Sequence, residues 1–351
     1  MMLRFILKRL GYGILVLWGV ATAVFFLFAV LPSDPARMMM GQRTDVATEE
    51  AIRKELGLDL PLGMQYLNYL NDISPLAFAR QQTYANSLTL LKIGETKLLF
   101  KAPYLRRSYQ SKRPVSEILT AAFPATAVLA LAAIFFAIIV GIGIGILCAV
   151  YKDRWVDKIA LIFSVIGMSL PSFFAAIVLA WLFAFVLADF TGLSMFGSLY
   201  SVDNYGTGEY LDFKNLILPA ITLGIRPLAV VVELTKNSLL EVLHQDYIRT
   251  AYAKGLKPSA VMFKHALKNA LNPVVTAISG WLASLFAGAV FVEYVFDWKG
   301  MGVVMVDALD KYDFPVVMGA LLFISVILVI IGIIVDILYG FLDPRVKVGT
   351  V

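Results

Sequence analysis

The sequence predicts an all-α integral membrane protein with six transmembrane helices, and three observations carry that prediction. Of 351 residues, 60% are apolar and only 16% charged, against roughly half and a quarter in a soluble domain; mean hydropathy is +0.80. The apolar residues fall in long runs, and six of these reach the roughly 20 residues that a hydrocarbon core of about 30 Å requires. Lysine and arginine crowd the loops on one side of the runs, the asymmetry that orients membrane proteins. The net charge of +5 therefore reports orientation and not nucleic-acid binding.

The spans run approximately over Leu10–Leu31, Ala121–Tyr151, Ile159–Ala188, Leu216–Leu240, Pro273–Tyr294 and Pro315–Leu342. The first is too long for a signal-peptide core of about 7–15 residues. Ala21-Thr22-Ala23, which resembles a cleavage site, lies inside the run, so an uncleaved first span is expected. Arg4, Lys8 and Arg9 precede span one, Lys152, Arg154 and Lys158 separate spans two and three, and Arg345 and Lys347 close the chain. Arg249, Lys254, Lys257, Lys264 and Lys268 lie between spans four and five, whereas the opposite short loops hold only Lys214, Lys299 and Lys311. Both termini are thus expected in the cytoplasm. The loop Pro32–Glu117 is expected outside, because loops longer than about 60 residues cross largely regardless of charge.

Within that outer loop, Thr48 suits an N-cap, with Glu49 and Glu50 in the first turn, Arg53 and Lys54 later and Gly57 as a stop. Leu60-Pro61 opens a second amphipathic stretch through Tyr66, Leu67, Tyr69 and Leu70. Ala77–Arg113 is polar and basic, with no pattern that assigns an element. The expected organisation is residues 1–31 for the N-terminus and first span and 32–117 for the outer loop. A five-helix core follows over 118–345, with a cytoplasmic loop at 241–272, and a tail over 346–351.

Catalytic and metal chemistry find no footing. No G-x-x-x-x-G-K-[ST] phosphate loop and no H-E-x-x-H occurs, Cys148 is the single cysteine, and His244 and His265 read as solvated. Gly141, Gly143 and Gly145 sit mid-span, where G-x-x-x-G spacing signals close helix packing rather than a nucleotide loop. No enzyme, cofactor or metal site is expected.

Between spans four and five, Asp246-Tyr247-Ile248-Arg249-Thr250-Ala251-Tyr252-Ala253-Lys254-Gly255-Leu256 leads to Pro258. The spacing predicts two short helices broken at Gly255, with Tyr247, Ile248 and Ala251 on one face. Such a helix either docks into a partner's groove or rests on anionic lipid through its lysines. Deeper in the membrane, Arg226 is about 16 Å into span four at 1.5 Å per residue. It either faces a translocation path, meeting a carboxylate, or serves an interhelical partner, or else span four starts later than drawn. Pro171 is expected to kink span three, for gating or for shape. Glu233 and Lys236 are expected to pair one turn apart, and Glu293 and Asp336 lie near span ends, where structural hydrogen bonding is expected.

The 246–256 segment, followed by His265-Ala266-Leu267-Lys268-Asn269-Ala270-Leu271-Asn272-Pro273, resembles the EAA-type signature of ABC importer permeases, in the dipeptide/oligopeptide/nickel branch. Arg4 to Leu10, Leu31-Pro32-Ser33-Asp34-Pro35-Ala36, Leu56-Gly57-Leu58-Asp59-Leu60-Pro61, Ser169-Leu170-Pro171-Ser172-Phe173, Glu293, Asp336 and Asp343-Pro344-Arg345 extend the likeness in order along most of the chain. The resemblance implies the type I importer permease fold and a half-channel in the inner membrane. It also implies a second homologous permease, two ATP-binding subunits that hydrolyse the ATP, and an extracytoplasmic solute-binding protein. It makes Tyr247, Arg249, Ala251, Lys254, Gly255 and Leu256 the ATPase-coupling residues, while position in or near the spans, and not the resemblance, makes Arg226, Pro171 and Glu293 candidates for the pathway. Short peptides are the implied cargo, with nickel or another small solute as the alternative. A self-contained ion-coupled transporter would place ionisable groups near the midplane in both halves, and Arg226 alone is deep. The chain departs from the family in three places. Glu233 and Lys236 stand where arginines are common, extra sequence lies between Asp72 and Arg107, and Arg106 replaces a frequent glycine.

Overall fold

A computed structural model describes residues 2–30, 50, 53, 57, 59–79, 87–93, 96–202 and 208–342. The expected Thr48-capped helix, the Leu31–Ala36 element and Asp343–Arg345 lie largely or wholly outside these residues. The chain forms two compact units, one built mainly from 123–303 and one from 7–122 with 304–327. Among the described residues, four helices are long and apolar enough to cross a membrane, and up to six spans result if each of two bent helix pairs counts as one.

In the first unit, α3 (Val115–Val150) enters from the other unit and packs on α6 (Lys214–Leu243). The G-x-x-x-G reading holds in three dimensions. A Cβ on Gly141 would lie 2.7 Å from Val231 Cγ1, and one on Gly145 would lie 2.6 Å from Thr235 Cβ. Only bare backbone lets these helices approach so closely. Leu129, Ala133, Ala176, Leu223 and Leu285 form the core with Phe296 and Trp298. The Trp298 indole is anchored by donating to the Ala125 carbonyl at 2.9 Å.

The expected third span is two half-length helices, α4 (Trp155–Ser169) and α5 (Ser172–Leu179), the latter continuing as a π-helical segment, Ala180–Val186. Their axes differ by 116°, well beyond a kink. Pro171 has no N–H to continue α4 and forces Leu170 into an extended conformation, ψ 132°. Each half covers about 22 Å at 1.5 Å per residue, so neither alone crosses the bilayer core. The expected Glu233–Lys236 pair is also corrected. Lys236 Nζ instead meets Asp157 Oδ1 on α4 at 2.5 Å, while Asp157 Oδ2 accepts the Asp153 N–H at 3.1 Å.

In the second unit, α1 (Met2–Val30) and α2 (Leu62–Ile73) meet through Phe25, Tyr66 and Tyr69, with Thr22 and Tyr66 hydroxyls 2.7 Å apart. The stretch beyond it, unassigned from sequence, folds as three antiparallel strands, β1 (Leu76–Ala79), β2 (Leu88–Ile93) and β3 (Thr96–Phe100), in the order β1-β3-β2. Ala77, Ala79 and Leu99 are buried and their neighbours face out, the period-2 pattern of a one-sided sheet. Buried Lys101 donates to the Asp72 carbonyl oxygen, and Arg106 Nε donates to the Asp72 carboxylate at 3.3 Å. Asp313, just ahead of α10 (Phe314–Leu342), accepts from the Ser108 hydroxyl and from the Tyr109 N–H, the latter at 2.8 Å.

Candidate functional site

The loop after α6 folds as the short helix α7 (Asp246–Ala253), a glycine turn and a second helical stretch from Pro258 to Ala270. Gly255 adopts φ +77°. The Leu256 N–H reaches the Ala251 carbonyl at 3.3 Å and the Gly255 N–H reaches that of Tyr252 at 2.9 Å. This is the paired bonding of a Schellman motif, which requires a left-handed residue after the helix. A Cβ at Gly255 would meet nothing within 4 Å, so backbone angle and not space selects glycine here. Pro258 then supplies the first turn of the next stretch, where its missing N–H costs nothing.

Ile248 and Ala251 are buried against Ala149, Leu239, Val261, Ala266 and Ala270. That cluster seats α7 on its own chain and leaves the opposite face outward. Tyr247, Arg249, Lys254, Gly255 and Leu256 are exposed, and the Tyr247 hydroxyl accepts from Asn269 at 2.9 Å. Ala251 differs from the other candidates: it is 7% exposed and fills an internal contact that seats α7. Tyr252 and Phe263 are exposed apolar residues of the same segment that sequence reasoning missed. Helical spacing identifies a face but does not say whether the small residues or the aromatic ones turn inward.

The pathway candidates separate. Arg226 and the break beside Pro171 come together at one recess, lined by Leu170 and Ser172 of the broken pair, Thr222, Leu223 and Arg226 of α6, and Trp281, Ser284 and Leu285 of α8 (Asn272–Phe296). Glu293 does not line that recess and instead makes the structural hydrogen bonds expected of it near a span end. It is fully buried, and one oxygen accepts the Gly302 N–H at 2.6 Å. The Trp298 N–H returns to the Glu293 carbonyl at 2.8 Å, so this residue closes the turn between α8 and α9 (Met301–Asp310). Among the described residues, no group of histidine, cysteine and carboxylate side chains is arranged to hold a metal.

Comparison with known proteins supplies a context for this geometry. The family model described as the binding-protein-dependent transport system inner membrane component matches residues 141–348, and the model of the N-terminal part of such components matches residues 2–130. The di/tripeptide transport system permease protein DppB of Pseudomonas aeruginosa is 36% identical over 99% of both chains. The dipeptide transport system permease protein DppB of Escherichia coli K12 is 35% identical over the same shares. The glutathione transport system permease protein GsiC of Salmonella choleraesuis is 33% identical, again over 99% of both.

Proposed function

The chain belongs to the family of binding-protein-dependent transport system inner membrane components, and from that premise we propose that it is the permease subunit of an ATP-driven importer of short peptides. It lies in the cytoplasmic membrane with both termini inside. It pairs with a second homologous permease, receives cargo from an extracytoplasmic solute-binding protein and is driven by two ATP-binding subunits. The observation that carries this reading is α7, a helix pinned by Ile248 and Ala251 whose outer face offers Tyr247, Arg249, Tyr252 and Leu256 in a loop on the lysine-rich side. An amphipathic helix held this way presents a preformed anchor for a groove. Closure of the ATPases would push that anchor, and α6, continuous with it through His244 and Gln245, would carry the movement toward Arg226 and the Pro171 break. Peptide cargo follows the relatives, whose names specify dipeptides, tripeptides and glutathione.

The test is co-expression and reconstitution. ATP-binding subunits should co-purify with this chain, and uptake of a radiolabelled dipeptide into proteoliposomes should need ATP and the binding protein. Uptake by this chain alone, driven by an ion gradient, would overturn the proposal. Gly255→Asp should leave membrane insertion intact while abolishing peptide-stimulated ATP hydrolysis, because a side chain at φ +77° distorts the turn that orients the exposed face.

A further inference from the structure

Arg226 stands 12 residues beyond Lys214, the first residue of the 30-residue α6, about 18 Å along the axis at 1.5 Å per residue. A guanidinium at that depth is expensive to insert, and a chain carries it where the charge has a use. Lys236, ten positions on, is matched by Asp157. Arg226 has no such match: among the described residues no carboxylate pairs with it.

What surrounds Arg226, itself exposed, is instead a shallow recess open on one side. Its polar lining is Ser172, Thr222, Ser284 and Trp281, with no acidic residue. The Thr222 hydroxyl is spent on the Leu218 carbonyl at 2.7 Å. The remaining groups are hydroxyls, an indole N–H and the guanidinium fork, set among Leu170, Leu223 and Leu285. A donor-rich, acid-free recess with apolar walls suits a carboxylate, which a planar guanidinium grips through two parallel bonds. The break at Pro171 opens this space, since a continuous span would fill it with helix.

We propose that this recess receives the terminal carboxylate of the transported peptide, with Arg226 as the residue that selects for it. The proposal rests on the importer reading above, and its test keeps the two apart. Uptake of a dipeptide and of its C-terminal amide is measured in proteoliposomes holding the whole complex, at concentrations that saturate the binding protein. The complexes carry wild-type chain, Arg226→Gln or Arg226→Lys, and assembly is checked by gel filtration. Arg226→Gln should lower free-acid uptake at least tenfold more than amide uptake, and Arg226→Lys should restore much of the acid preference. A parallel fall for both peptides, or a fall that lysine does not rescue, would assign Arg226 to a carboxylate of the second permease and overturn the proposal. Equal uptake in all three complexes would overturn it too. Wild-type complex that imports neither peptide with ATP would sink the importer reading itself.

Discussion

Arg106 adopts φ +63°, a conformation that costs a side-chain-bearing residue about 1–2 kcal/mol and that glycine adopts freely. Its partial return is the Nε contact to Asp72 at 3.3 Å. Replacing it separates the two effects: Arg106→Gly and Arg106→Ala both lose the ion pair, but only glycine relieves the backbone. The glycine variant should be more stable than the alanine variant by about 1 kcal/mol, read from urea unfolding of the detergent-solubilised chain. Tyr69 offers a second case, because its buried hydroxyl has no hydrogen-bond partner among the described residues. Burial pushes the Tyr69 and Tyr109 phenols up from the ordinary value of 10.0. The stability that goes with their protonated forms is complete below that value and is lost as pH rises above it. Lys101, pushed down by burial from 10.5, works in the opposite sense, because its buried charge is relieved as pH climbs toward that value. Tyr69→Phe should therefore match or exceed wild-type stability at neutral pH and lose less of it above pH 10, measured by unfolding across that range. Residue identity alone announced neither effect. The sequence flags Arg106 as a substitute for glycine, but the reason a glycine belongs there is a dihedral angle set by the fold.

At the scale of elements, α4 and α6 are joined by the Asp157–Lys236 pair, whose side chains are 9% and 22% exposed. Removing one partner strands the other in a mostly dry contact, at about 3 kcal/mol. Asp157→Asn should lower the thermal midpoint of the solubilised chain more than Asp157→Asn combined with Lys236→Met, since the double variant leaves no unmatched ammonium. An additive loss would show that the contact contributes little. The spans themselves were legible because hydropathy and length decide them locally, and Gly141 with Gly145 announced a tight helix pair by spacing alone. The Gly255 turn was readable for the same reason, a glycine and a proline at fixed offsets. The three-stranded sheet was not, because its one buried face rests on alanines and one leucine (Ala77, Ala79, Leu99), which carry no periodic hydrophobic signal. Nor was the 116° break, for a proline in an apolar run signals a bend but not its size. The ion pair chosen by Lys236 depends on α4 lying beside α6, which residues on one helix cannot reveal.

For the molecule as a whole, the site divides between what is local and what is assembled. The coupling candidates Tyr247, Arg249, Lys254, Gly255 and Leu256 lie within ten positions and are legible as a motif, whereas the Arg226 recess gathers residues from 167 to 285 and needs the fold. Both readings assume one orientation: the α7 loop in the cytoplasm, and the sheet with the Arg106 loop outside. The chain is well suited to testing this, because its single cysteine, Cys148, is 1% exposed and should give little background with a membrane-impermeant maleimide. Ser111 and Lys152 are exposed and lie at opposite ends of α3, whose 36 residues span about 54 Å, more than the whole bilayer. Ser111→Cys should label in intact spheroplasts, and Lys152→Cys only after the membrane is permeabilised. The reverse pattern would turn α7 away from any cytoplasmic ATPase and remove the physical basis for coupling. Labelling of both from one side would mean that α3 does not cross at all.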